Sequence, residues 1–195
     1  MRKFVPAYEG NLRKHALSVP RCISECSGIR VFGRRIKSLV FSTDVAIIKN
    51  INADAIIAVY PFTPQPAITQ AIIGVSEVPV FCGVGGGLTN GVRSASMAAY
   101  VEHQGAYGVV CNSKIGVETI HAIKDAVEIP VVYTVISENT DIQPYLTAGV
   151  DIINVSGAAR TPEIVGALRQ RYPELPIIAT GGPTEESILA TIRAG

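Results

Sequence analysis

Strand-like and helix-like segments alternate along most of this chain at a nearly constant spacing, and few architectures accept such a pattern. Three segments place Pro directly before a β-branched residue: Val78-Pro79-Val80-Phe81, Ile129-Pro130-Val131-Val132 and Leu175-Pro176-Ile177-Ile178. Pro is tolerated at the first position of a strand, and the apolar run behind it suits a parallel strand buried on both faces. A second type of segment lies between them: residues 52–57, 105–110 and 149–153, often led into through Gly. The two types alternate about every 24 residues. Counting Ser38–Ser42 as the first, strands are expected near 38–42, 54–60, 78–82, 106–111, 130–136, 151–155 and 176–180.

The stretches between carry helical spacing. Ile164, Val165, Leu168 and Tyr172 form one face behind the start signal Thr161-Pro162-Glu163, and Val117, Ile120, Ile123 and Val127 form another. Alternating strands and helices imply an α/β fold with a parallel sheet. A doubly wound sheet would more often show a Gly-rich turn after its first strand, whereas here the turn is Ser42-Thr43-Asp44. The expected fold is therefore a (β/α)8 (TIM) barrel with seven strands recognised. The final Ile192-Arg193-Ala194-Gly195 repeats the Ala148-Gly149 lead-in to the sixth strand, announcing an eighth that the sequence does not contain. Strand-like Ile29–Gly33 could supply that strand or cap the barrel's bottom. Unpaired sheet edges would favour a homo-oligomer.

Charge divides the chain into a basic N-terminal segment, 1–37, and a single barrel body, 38–195. The segment holds nine Lys or Arg against two Glu, a net charge of +7, and the body holds eight basic and fourteen acidic residues, −6. Such a leader could clamp an anion, touch nucleic acid or dock on the acidic body. No apolar run approaches the roughly 18 residues of a membrane span, and the N-terminus lacks a signal-peptide core, so a cytoplasmic protein without membrane contact is expected. Cys22, Cys26, Cys82 and Cys111 lack zinc spacing and read as reduced thiols. Cys82 and Cys111 end neighbouring strands as small core residues. His15, His103 and His121 fall away from the strand ends, which argues against a His-based metal centre or triad.

In a (β/α)8 barrel the active site lies at the C-terminal ends of the strands. Leu175–Ser187, LPIIATGGPTEES, reads as a buried strand, a Gly181-Gly182 turn and a helix capped by Thr184. The free N–H groups and positive end of that helix suit a phosphate. Gly85, Gly86 and Gly87, in the densest glycine run, could present further N–H groups beside Arg93, or form a flexible lid. Asn154, Ser156 and Arg160 follow the sixth strand as ligand contacts. Asp44 and Glu138 are the acidic candidates for acid–base work or for holding Mg2+; both residue types also cap helices. Lys114 is the one lysine at the expected top face, in the place of an imine-forming base, though it follows Ser113 at an exposed helix start.

The ATGG turn after the seventh strand resembles that of the phosphate-binding (β/α)8 barrels, which include thiamine-phosphate synthase, indole-glycerol-phosphate synthase, keto-deoxy-phosphogluconate aldolases and several FMN oxidoreductases. In those barrels the phosphate sits between the loops after strands seven and eight, so this chain matches through Gly181 and Gly182 alone. The sixth strand, Asp151–Val155, lacks the lysine of the aldolases. The stretches SGIRVFGRRIKSLVFSTDVAI, AVYPFTPQPAITQA, GVGGG, INVSGAARTPEI and IIATGGPTEESI resemble an uncharacterised bacterial barrel family known only as hydrolases. The resemblance implies the fold and an enzyme of hydrolase, lyase or isomerase type on a phosphorylated small molecule. FMN oxidoreduction, and a ligand-sensing regulator like the glycerol-uptake antiterminators with an RNA-touching leader, are the alternatives.

Overall fold

The structure, a computed structural model, describes residues 4–7 and 16–195. Arg2, Lys3, Glu9, Arg13, Lys14 and His15 of the basic leader lie outside the described residues. Chain order begins with a hairpin, β1 (Ile29–Val31) and β2 (Arg34–Ile36). The alternating body follows: β3 (Leu39–Phe41), α1 (Val45–Asn50), β4 (Ala55–Ala58), α2 (Pro66–Val75), β5 (Val80–Gly85), α3 (Val92–His103) and β6 (Gly108–Cys111). Then come α4 (Val117–Ala126), β7 (Val131–Val135), α5 (Gln143–Thr147), β8 (Ile152–Val155), α6 (Thr161–Arg171), β9 (Ile177–Ala179) and α7 (Glu185–Ala194). Strands β3 to β9 are the seven expected from the sequence. They pair in sequential order, all parallel, into one curled sheet.

The alternation of side chains along each strand sorts the core into two clusters. Outward-facing Ile56, Val80, Cys82, Val109, Val131, Tyr133, Ile153 and Val155 pack against the helices with Ile120, Ile123, Ile164, Val165 and Leu168. Inward-facing Ala55, Ile57, Phe81, Val110, Val132, Ile152 and Ile178 fill the barrel. Gly108 is required here: a Cβ on it would stand 2.6 Å from the Phe81 ring, so its absence makes room for that ring. Burial pushes the Cys82 and Cys111 thiols up to about 12, and all four cysteines are free. No ladder joins β9 to β3 among the described residues, so the position of an eighth strand is an open seam.

The hairpin closes the bottom of the barrel. Val31 and Ile36 are buried in the inward cluster, and β1 pairs antiparallel with β2 through the two-residue turn Phe32-Gly33. Both turn residues have positive φ, 47° and 79°, which is the geometry that matches the twist of a tight hairpin. Phe32 is strained there, and its ring is held edge-on to Tyr107 at 5.6 Å. Upstream, the 3-10 turn Arg21–Glu25 packs on α7. Three of the leader's described basic residues bond to its own backbone: Arg35 donates to Ser27 O, Arg30 to Gly33 O and Lys37 Nζ to Ser24 O.

Asp54 fastens this cap to the sheet. Its Oδ2 accepts from the N–H groups of Lys37 at 2.9 Å and Ser38 at 3.0 Å, while its own N–H donates to Ser38 Oγ. Partial burial pushes the Asp54 carboxyl up, but these hydrogen bonds and nearby Arg34 outweigh it and hold the group below the usual carboxylate range. A lowered folded-state pKa adds stability above the unfolded value, about 4, that is lost as pH falls through the folded one. Asp54→Ala is expected to cost about 2 kcal/mol and Asp54→Asn about 1 kcal/mol. Urea unfolding at pH 7 and at pH 3 checks this, with the gap between Asp54→Asn and the parent narrowing at the lower pH.

Candidate functional site

The inward-facing row of each strand changes character toward its C-terminal end. Ile152 and Val132 lie deep in the apolar interior, and one step further along the same rows stand Asn154 and Thr134, which face each other in register. Asn154 is 1% exposed. Its Nδ2 donates to Thr134 Oγ1 at 3.3 Å, and its Oδ1 is buried with no partner. Above this pair opens a cavity of about 300 Å³. Its polar walls come from Tyr60 after β4, Thr89 after β5, Asn112 and Ser113 after β6, and Ser156 after β8. Phe41, Val59, Val110 and Ile136 supply the apolar part.

Among the described residues, no Asp, Glu, His, Cys, Lys or Arg lines this cavity, and Tyr60 is its one titratable side chain. The Tyr60 hydroxyl accepts from the N–H of Gln65 at 2.8 Å, which leaves its proton free to donate into the cavity. The Asn112 carboxamide oxygen takes Ser113 Oγ and the N–H of Lys114, which shapes the turn after β6 and orients the amide. The walls therefore offer hydrogen bonds without formal charge, a chemistry suited to the oxygen atoms of a small polar molecule.

Of the residues singled out in the sequence, Asn154 and Ser156 stand in the cavity, as do Gly85 and Gly87. The glycine loop is tied down on several sides. Gly86 N–H donates to Thr89 O at 2.9 Å, Asn112 N–H to Gly85 O at 2.9 Å, and Ser94 Oγ to Thr89 O at 3.1 Å. A Cβ on Gly86, where φ is +110°, would press on the Asn112 backbone at 2.8 Å, so the run allows close packing of two strand-end loops. Arg93 is exposed in the first turn of α3, outside the cavity walls.

Gly181 and Gly182 line a different space, a groove of about 1110 Å³ along the open seam, which meets the cavity at Phe41 and Asn154. Their turn closes on the start of α7, where a Cβ on Gly182 would stand 2.1 Å from Ser187 Oγ. Thr184 is the N-cap expected from the sequence, in a reciprocal capping box with Ser187. Glu138 and Arg160 pair across the loops after β7 and β8, and Arg160 also reaches Glu163 at 3.3 Å. The backbone N–H of Glu138 and then Arg160 hold the Glu138 carboxyl below its ordinary range. Lys114 is exposed beyond the cavity walls.

Asp44 caps α1, its Oδ1 accepting from the N–H groups of Ala46 at 2.8 Å and Ile47 at 3.2 Å. Sequence reasoning missed Tyr60, Thr134 and Asn112. The signal was available for Thr134, since it shares strand parity with Val132 and so faces inward.

No family model matches the chain, and no curated protein matches it by sequence. Solved structures do. Phosphonopyruvate hydrolase in complex with oxalate and Mg2+ aligns with a TM-score of 0.63 at 17% identity, covering 81% of this chain and 72% of that one. Phosphoenolpyruvate phosphomutase from Streptomyces platensis subsp. rosaceus aligns with a TM-score of 0.63 at 15% identity, over 80% and 72%. A 2,3-dimethylmalate lyase of the PEP mutase/isocitrate lyase superfamily gives 0.60 at 16%, over 80% and 71%. These likenesses establish the α/β barrel fold. The residues here do not fit a bound magnesium: the cavity walls hold no carboxylate, and among the described residues no group of three His, Cys, Asp or Glu could hold a metal ion. No helix among the described residues is long and apolar enough to cross a membrane.

If the cap is what Asp44 contributes, Asp44→Ala costs about 1 kcal/mol while Asp44→Ser and Asp44→Asn cost a few tenths. Thermal melts of the three variants check this, and a ligand bound in the cavity should keep its affinity in all of them.

Proposed function

We propose that this chain is a barrel enzyme that binds a small phosphorylated metabolite in the cavity at the C-terminal ends of the strands and transforms it by lyase, isomerase or hydrolase chemistry. One observation carries the reading: about 300 Å³ of space lined from several strand ends by hydroxyls and carboxamides, in the position where this fold places its active sites. The structural neighbours are enzymes named for phosphonopyruvate hydrolysis, phosphoenolpyruvate phosphomutation and dimethylmalate cleavage, all small acids rich in oxygen. The family known only as hydrolases, which the motifs resemble, is compatible with this class.

Ligand oxygens would accept from Thr134 and Ser156, whose hydroxyls rotate to suit, while Ser113, which donates to Asn112 Oδ1, offers only its oxygen. Proton transfer is assigned to Tyr60, because Asp44, Glu138, Lys114, Arg93 and Arg160 all stand outside the cavity walls. The Gln65 N–H that donates to the Tyr60 oxygen fixes where the hydroxyl stands. Phosphate recognition at Gly181-Gly182 would need a ligand long enough to reach from the cavity into the seam, which the meeting of the two spaces at Asn154 permits.

Binding of glycerol 3-phosphate, 3-phosphoglycerate and phosphoenolpyruvate by calorimetry tests the reading. At least one should bind, and Ser156→Phe, which fills the mouth from an exposed position, should weaken it more than about tenfold. For a ligand that is turned over, Tyr60→Phe should lower kcat by about 100-fold with little change in KM. Binding indifferent to Ser156→Phe, or no binding by any of the three, would overturn the proposal.

A further inference from the structure

Four large apolar side chains that line the cavity stand largely in water: Phe41 is 50% exposed, Phe62 74%, Leu88 95% and Ile136 57%. A single exposed apolar residue is ordinary on a protein surface, but four that line one cavity from four different strand ends form a patch tied to one site. Their distribution is uneven. The strands pair in chain order, so the loops after β3, β4 and β5 make one half of the wall and those after β6, β7 and β8 the other. The first half carries Phe41, Phe62 and Leu88, with Tyr60, Thr63 and the buried Thr89 as its polar exceptions. The second half carries the Asn112 carboxamide and the hydroxyl groups of Ser113, Thr134 and Ser156. Among the described residues, Ile136 is the one large exposed apolar side chain on that half.

The loop that carries Phe62 is stiff. Pro61 and Pro64 fix their own φ, and Pro64 disfavours helical backbone at Thr63. The Gln65 N–H donates to the Tyr60 hydroxyl across the base of the loop at 2.8 Å. The Phe62 ring is therefore held out in water instead of folding back onto other apolar surface.

A cavity divided in this way fits a molecule divided in the same way. An oxygen-rich head meets the hydroxyls and the carboxamide, and a hydrocarbon tail takes Phe62 and Leu88 out of water. That burial is worth about two- to fourfold in affinity for each methylene, the lower figure for one that stays partly wetted. A wholly polar molecule gains nothing from these side chains. Resting on the reading that this cavity is the substrate site, we infer that Phe62 and Leu88 form a specificity subsite for an apolar substituent. The substrate class is accordingly an amphipathic phosphate ester, its tail against the loops after β4 and β5 and its head toward the ends of β6, β7 and β8.

Calorimetry with ethyl, n-butyl and n-hexyl phosphate, alongside glycerol 3-phosphate, reads the subsite. In the parent, affinity should climb with chain length, so that hexyl phosphate binds at least about 15-fold more tightly than ethyl phosphate. Phe62→Ser and Leu88→Ser should each reduce that climb, and the double variant should bring it below about threefold. Taken as a ratio within each variant, the climb is independent of any change in affinity for the head group. Both positions are exposed on loops, so the Tm of each variant should stay within about 2 °C of the parent. Equal affinity for ethyl and hexyl phosphate in the parent, with both lost in Ser156→Phe, would overturn the subsite and leave the cavity assignment standing. A climb that persists in the double variant would place the tail elsewhere and overturn it as well. So would a parent that dimerises in sedimentation velocity while the double variant does not, since the patch would then be an interface between copies. Failure of every phosphate to bind, glycerol 3-phosphate included, would remove the cavity assignment and the subsite together.

Discussion

A parallel sheet must be covered on both faces, because its strands are apolar on both and its backbone groups have no tolerance for exposure. Here the outer face is covered by α-helices through the cluster containing Tyr133, Val155 and Ile164. The inner face is covered by the sheet itself, curled until Ile57, Phe81, Val132 and Ile178 meet. Everything else follows from that curling. It needs a residue without a side chain at Gly108 to admit Phe81, and a plug at the bottom, which the β1–β2 hairpin provides with Val31 and Ile36. Asp54 ties plug to sheet through two backbone N–H groups.

The same curling creates the site. Inward rows that are apolar at the bottom converge at the top on side chains that are polar, Thr134 and Asn154, with Asn112 and Ser156 beyond them. A polar group at the end of an inward row is costly unless something satisfies it, and there Asn154 Nδ2 is met by Thr134 Oγ1. The cavity is also neutral. Among the formal charges of the top face, Glu138 pairs with Arg160, which also reaches Glu163, and Asp44 caps a helix.

Several elements were legible in the sequence because local physics specifies them. The seven strands follow from Pro-led and Gly-led apolar runs, and Thr184 capping α7 follows from residue type and position. Ile29–Gly33 was readable as strand-like, and the cap at the bottom was one of its two open placements; its partner β2, rich in Arg, carried no apolar signal. The glycine run offered two readings, anion cradle or lid. Its packing against Asn112 depends on a residue 26 positions away in the chain, a contact no local pattern can announce.

What the sequence determined by itself was periodicity, and with it the strand count, the parallel order and the end of the barrel where chemistry sits. Those are properties of neighbours along the chain. Tertiary structure alone decided which polar side chains share a space: Asn154 with Thr134 and Tyr60 in the cavity, Gly181 and Gly182 in the seam, Asp44 on its own helix. The reason is geometric. Convergence of strand ends is set by the curvature and register of the whole sheet, and a charged residue next to the site in sequence can point along a helix while a neutral one faces the substrate.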